Sequence, residues 1–173
     1  MFNFSRSANY VAAFVFISFL AACSDVSKAD AVATAKPQPA AAISLDVYKS
    51  PTCGCCSKWI DHIEQHGLQS TAHDSQQLSA LKDKYKIPNN ARSCHTAVSK
   101  DGYVFEGHVP AKFVLQFLQN PPVDAIGLTV PAMPLGSPGM EVDDKFMPYQ
   151  IILLNHNGQH QVYQMVNSYE EQF

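Results

Sequence analysis

Thr52-Cys53-Gly54-Cys55-Cys56 places three thiols within four residues. Thiolate is both the nucleophile of cysteine chemistry and the ligand for soft metals. Cys53 and Cys56 have the C-x-x-C spacing of dithiol exchangers, with Cys55 inserted as a third sulfur. A pure exchanger has no evident use for that third thiol, and neighbouring thiols invite wrong disulfides. A soft-metal site does use it. Cu(I) favours thiolate and thioether, and Zn(II) takes thiolate and imidazole. Two disulfides among the four downstream cysteines are the plain structural alternative. Bonds between adjacent or near-adjacent cysteines are strained, which weighs against it. Cys94, in Arg92-Ser93-Cys94-His95-Thr96, is the candidate fourth sulfur.

Imidazoles and thioethers add candidates. His95 follows Cys94, so alternation along a strand sends it to the opposite face. A ligand role there needs a bulge or a twist at the strand end. His108 sits in a turn just before a helix start, as a ligand or as a donor behind one. Met133 and Met140 flank a Pro/Gly segment. Thioethers suit Cu(I), although methionine also fills gaps in a packed loop. His62 and His66 have a Zn-chelating spacing, but read better as flank residues of a helix whose dipole favours His66 at its C-terminus. No catalytic carboxylate pair, Ser/His/Asp order or phosphate loop is evident.

These residues need elements to position them. Ile43–Tyr48 alternates as a half-buried strand, and a turn at Ser50-Pro51 leads into a helix over about Cys55–His66. The helix N-terminus carries free N–H groups and a partial positive charge, which favour thiolate at the cysteines. Leu68–Ala72 reads as a strand and Ser75–Lys86 as a helix. Cys94–Ser99 and Tyr103–Glu106 form a hairpin around Lys100-Asp101-Gly102. A helix follows with Pro110 at its first position and Phe113, Val114, Phe117 and Leu118 as its apolar face. Asn120–Met140 holds five Pro and three Gly, and reads as a long, functional loop that packs down. Tyr149–Leu154 and Gln161–Val166 form a last hairpin. The fold class is therefore α/β: a domain whose first two-thirds resemble a thioredoxin-like fold, followed by a Pro/Gly/Met-rich loop and a C-terminal hairpin extension. In such a sheet the start of the third strand lies beside the first helix's N-terminus, which brings Cys94 to the cluster.

Arg6 precedes an apolar run, Tyr10–Ala22, too short to span a bilayer and ending Leu20-Ala21-Ala22-Cys23. Residues 1–22 read as a lipoprotein-type signal peptide with Cys23 as the lipidated residue. Ser24 after it favours outer-membrane sorting. Residues 23–42, rich in Ala, read as a flexible tether, and 43–173 as the folded domain. The expected location is the periplasm, on a lipid anchor. That compartment is oxidising, so thiols there form disulfides unless a metal or a reductant protects them. With 46% hydrophobic and 16% charged residues, the chain is too apolar to be disordered. Its net charge of −3, with no basic stripe, excludes a general nucleic-acid binder.

Cys53-Gly54-Cys55-Cys56 with Trp59, Ser93-Cys94-His95-Thr96-Ala97, Gly102-Tyr103, Glu106-Gly107-His108-Val109-Pro110-Ala111 and Met133-Pro134-Leu135-Gly136-Ser137-Pro138-Gly139-Met140-Glu141 run in order through the domain. Together they resemble the CopG family of bacterial copper-resistance proteins. The resemblance implies export, a thioredoxin-like fold and copper handling. It also implies copper on the cysteine motif, in a thiolate-bridged multinuclear cluster with a redox role. The expected ligands are Cys53, Cys55, Cys56 and Cys94, joined by His95, His108, Met133 and Met140. The expected partners are copper ions and other periplasmic copper-handling proteins. The same ligands serve a metal buffer or a copper oxidoreductase. A thiol–disulfide oxidoreductase using Cys53 and Cys56, and a structural zinc module, are the rival readings.

Overall fold

A computed structural model describes residues 42–173. The expected signal peptide, the lipidated Cys23 and nearly all of the tether lie outside the described residues. The order is β1(Ser44–Lys49), α1(Gly54–Gln65), β2(Gln69–Asp74), α2(Leu78–Lys84), β3(Thr96–Ser99), β4(Val104–Glu106), α3(Ala111–Gln119), β5(Ala125–Thr129), β6(Tyr149–Asn155) and β7(His160–Val166). Short 3-10 turns occupy Asn89–Ala91 and Tyr169–Gln172.

The seven strands of the described residues form one mixed sheet in the order β2-β1-β3-β4-β5-β6-β7. β1 and β2 are parallel because α1 returns the chain between them. β3 lies antiparallel to both β1 and β4. β5 then runs parallel to β4, and α3 makes that crossover. The final hairpin joins the sheet by pairing β6 with β5.

The apolar residues of α1 and α3 face the sheet. Trp59 and Ile63 from α1, Phe113, Val114 and Phe117 from α3, and Leu45, Val47, Phe105 and Leu128 from the strands form one buried cluster. Trp59 is wholly buried, and its indole Nε1 donates to the Val109 carbonyl at 2.8 Å. That bond satisfies the polar edge a buried tryptophan carries.

The structure corrects the sequence reading in three places. The Pro/Gly-rich stretch is not one loop, because β5 lies inside it, between Pro121-Pro122 and Pro131. Gly127 permits this strand: its φ is +152°, and any Cβ there would collide with the Val104 backbone of β4. β3 begins at Thr96, so Cys94 and His95 precede the strand. Pro110 caps α3 from outside instead of opening it.

Candidate metal centre

Two loops and a helix end deliver the ligating side chains. The turn after β1 places Cys53 at the N-cap of α1, its N–H donating to the Ser50 carbonyl at 3.1 Å. Cys55 and Cys56 fall in the first helical turn. Cys94 arrives from the connection between the 3-10 turn and β3. The four sulfurs lie within 4.8 Å of one another, with Cys56 buried and the other three half-buried. Cys53 and Cys56 are joined as a disulfide, with Cα atoms 5.4 Å apart. Cys55 and Cys94 are free thiols, and Cys55 Sγ lies 3.5 Å from Cys53 Sγ. The four cysteines are thus brought together as expected, but two of them are oxidised in this state.

A second group shares Cys94. The ligand atoms of Cys94, His95 and His108 also lie within 4.8 Å of one another. The alternation expected to turn His95 away does not apply, because the strand starts at Thr96, two residues later than expected. Cys94 Sγ lies 3.2 Å from His95 Nδ1 and 3.1 Å from His108 Nε2. The tautomer of His108 follows from its other nitrogen. Nδ1 stands 2.8 Å from the Pro138 carbonyl, which can only accept. Nδ1 therefore carries the proton, and Nε2 turns a lone pair toward Cys94. A backbone carbonyl holding one ring nitrogen while the other faces the ligand cluster is the usual support for a metal-bound histidine.

Burial sets the protonation of these groups. The Cys94 thiol is pushed up to about 12, chiefly by burial and then by the neighbouring Cys55. His95 is held well below its usual range by burial, by His108 and by the Lys82 ammonium. Burial also lowers His108, against the opposing effects of the Pro138 hydrogen bond and Glu141. At neutral pH the site thus offers neutral imidazoles and a protonated Cys94 thiol, and a metal would take the place of that proton. His95 is wholly buried, yet its Nε2 has no hydrogen-bond partner. Buried polar atoms are rarely left unpaired, so this nitrogen, on the ring whose Nδ1 faces the Cys94 sulfur, calls for a partner that the protein itself does not supply.

The Pro/Gly/Met segment covers the site from one side. Gly139 has φ of +87°, and a Cβ there would meet the Cys55 carbonyl at 2.6 Å and the Trp59 amide nitrogen at 2.9 Å. Only glycine lets the segment sit so close to the first turn of α1. Pro138, which orients His108, immediately precedes Gly139. Met140 follows Gly139 and is half-buried, whereas Met133 is 48% exposed.

His62 and His66 belong to a different arrangement. His62 Nε2 accepts the Ala111 N–H at 3.0 Å, capping α3, and His66 Nδ1 donates to the His62 carbonyl at 2.7 Å. They act as packing and capping residues; the sequence reading placed them on the helix flank and did not foresee the bond from His62 to α3. Sequence reasoning missed two contributors to the site. The Pro138 carbonyl carries no side-chain signal. Lys82 looks like a solvated helix position, yet it is buried against Glu106 behind the Cys94 loop.

Comparison with known proteins adds to this geometry. A family model described as "Protein of unknown function, DUF411" matches residues 91–140. Comparison with curated proteins finds no match. Two solved structures are similar. "Copper resistance protein copG- Form 2" is 40% identical, with a TM-score of 0.69, over 73% of this chain and 99% of the other. "Copper resistance protein copG- Form 1" is 39% identical, with the same TM-score and coverage.

Proposed function

The chain belongs to the family of the copper resistance protein CopG, and from that premise we propose that it is an exported copper-binding protein that holds Cu(I) on Cys53, Cys55, Cys56 and Cys94. The observation that carries the proposal is the convergence of these four sulfurs, with His95 and His108 completing the donor set around Cys94. Thiolate is the donor that selects Cu(I), neutral imidazole also accepts copper, and several thiolates at this spacing allow sulfur to bridge metal ions. The function is copper resistance, by sequestration or handover to other periplasmic copper-handling proteins, with Cu(I)/Cu(II) interconversion at the same ligands. The β1-α1-β2 unit and the neighbouring antiparallel β3 and β4 support a thioredoxin-like origin for the first two-thirds. The cysteine motif at the N-terminus of α1 is where such a fold carries its redox or metal chemistry.

Copper competes with the disulfide for the same sulfurs. Closing Cys53–Cys56 removes two thiolates, and reopening it takes two electrons and two protons. Loading therefore requires the reduced state. The test is an anaerobic Cu(I) titration of the reduced protein, with a chelator setting free copper and zinc run in parallel. Tight uptake of more than one Cu(I) per chain is expected, and Cys55→Ser should weaken or remodel it. Weak uptake, a clear zinc preference, or unchanged binding by Cys55→Ser would sink the three-sulfur reading.

The Cys53–Cys56 bond favours a second reading, a thiol–disulfide oxidoreductase. That reading expects exchange with a protein disulfide in metal-free samples, surviving Cys55→Ser.

Export rests on the sequence. No helix among the described residues is long and apolar enough to cross a membrane. A periplasmic protein anchored to the outer membrane through lipid on Cys23 accounts for the lipobox-like Leu20-Ala21-Ala22-Cys23. Cys23→Ala should move the protein from the membrane to the soluble fraction on centrifugation, and continued membrane partitioning would refute the anchor.

A further inference from the structure

A buried ion pair lies behind the Cys94 loop. The Lys82 side chain is 6% exposed and that of Glu106 is wholly buried. Lys82 is the one buried residue of α2. Its Nζ stands 2.5 Å from Glu106 Oε1 and 2.9 Å from Thr96 Oγ1. Glu106 Oε1 also accepts the Ser93 N–H at 2.6 Å, while Oε2 accepts the Thr96 hydroxyl at 2.6 Å. One carboxylate thus grips the chain on both sides of Cys94-His95. The Glu106 carbonyl accepts the Val130 N–H at 3.0 Å, and His108 lies two residues further along.

Folding energy gives a poor account of this pair. Desolvating two charges is costly, and replacing both by apolar groups of similar volume is often neutral or stabilising. What an apolar pair could not do is hold the Ser93 amide and the Thr96 hydroxyl at fixed points. Cys94 and His95 hang between those two points, opposite His108 and the cysteines of α1.

We infer that Lys82 and Glu106 are positioning residues for the metal centre, clamping the Cys94-His95 segment at the spacing its ligands need. The inference rests on the copper reading above for the identity of the metal, but the clamp itself can be tested without copper. Groups that orient metal ligands are typically worth 10–100-fold in affinity.

The test compares the full-length protein with a Lys82→Met/Glu106→Leu double variant, with Thr96→Val and with Thr96→Ser. Two quantities are read besides the melting temperature. One is the rate at which iodoacetamide alkylates Cys94 in metal-free protein, followed by mass spectrometry of the Cys94 peptide. The other is Cu(I) affinity under anaerobic reduction. The double variant should melt below the wild type, because the Ser93 N–H and the buried Thr96 hydroxyl lose their acceptor, alkylate Cys94 about tenfold faster, and bind Cu(I) about 10–100-fold more weakly. Thr96→Val should shift both readouts in the same direction, and Thr96→Ser should restore them. A folded double variant with wild-type alkylation and affinity overturns the inference. Faster alkylation with unchanged copper affinity also overturns it, because the clamp would then position nothing the metal needs. Should the double variant not fold, Thr96→Val against Thr96→Ser decides alone. A wild type that binds no Cu(I) defeats the copper reading, and the alkylation rates still decide the clamp.

Discussion

At Cys94 one sulfur takes part in two donor groups, and His108 governs how it is presented. The imidazole bridges the Pro138 carbonyl and the Cys94 thiol at 2.8 and 3.1 Å. Glutamine at this position has a donor for Pro138 and an acceptor toward Cys94, but no imidazole lone pair. His108→Gln therefore separates packing from ligation. Stability should change by less than about 1 kcal/mol, since one set of modest hydrogen bonds replaces another. Cu(I) affinity should fall by about 10–100-fold. Thermal melts and chelator competition measure the two effects. A variant that binds copper as the wild type does would remove His108 from the donor set.

Element boundaries explain what could and could not be read in advance. The strands and helices around Val47, Trp59 and Phe117 were legible because their apolar periodicity answers to one buried face. The cysteine cluster was legible because soft-ligand chemistry depends on residue type and short spacing. The orientation of His95 was not, because it depends on β3 starting at Thr96. β5 was hidden by the density of Pro and Gly around it: Gly127 serves a close approach to β4 and a register shift against β6, not a loop. Lys82 was hidden because only tertiary placement turns a helix lysine inward. The contact between α1 and α3 has a consequence of its own. Burial, aided by the neighbouring His66, lowers His62 from 6.5 to about 4. The folded protein therefore binds fewer protons at this residue than the unfolded chain does between those values. Its contribution to stability is complete above pH 6.5 and is lost as pH falls toward 4. Allowing for solvent screening, the linked loss is on the order of 2 kcal/mol. Protonation would also abolish the acceptor for the Ala111 N–H. His62→Gln keeps an acceptor and should flatten the melting temperature between pH 6.5 and 4, while His95 and His108 contribute equally to both proteins. A variant that tracks the wild type across that range would assign the acid sensitivity elsewhere.

On the scale of the whole molecule, the C-terminal extension braces the candidate metal centre through a short chain of hydrogen bonds. Gln172, next to the last residue, is wholly buried. Its Oε1 accepts the Tyr149 hydroxyl at 2.6 Å, and its Nε2 donates to the Gly136 carbonyl at 3.0 Å. Tyr149 opens β6, and Gly136 lies in the segment that covers the site. Two residues further on, Pro138 holds His108, and His108 faces Cys94. The hairpin therefore does more than widen the sheet, because its end fixes the covering segment against the sheet that carries the ligands. Gln172→Ala would leave a buried tyrosine hydroxyl and a backbone carbonyl unpaired, at about 1–3 kcal/mol for each group that water cannot reach. The melting temperature should drop, and Cu(I) affinity should drop by less than in His108→Gln, because the histidine itself remains. Limited proteolysis should cut earlier within residues 131–147. Lower stability with wild-type copper affinity and no new cleavage would show that the extension supports the fold alone. A matched fall in all three would show that the last turn of the chain reaches the metal centre through Gly136, Pro138 and His108.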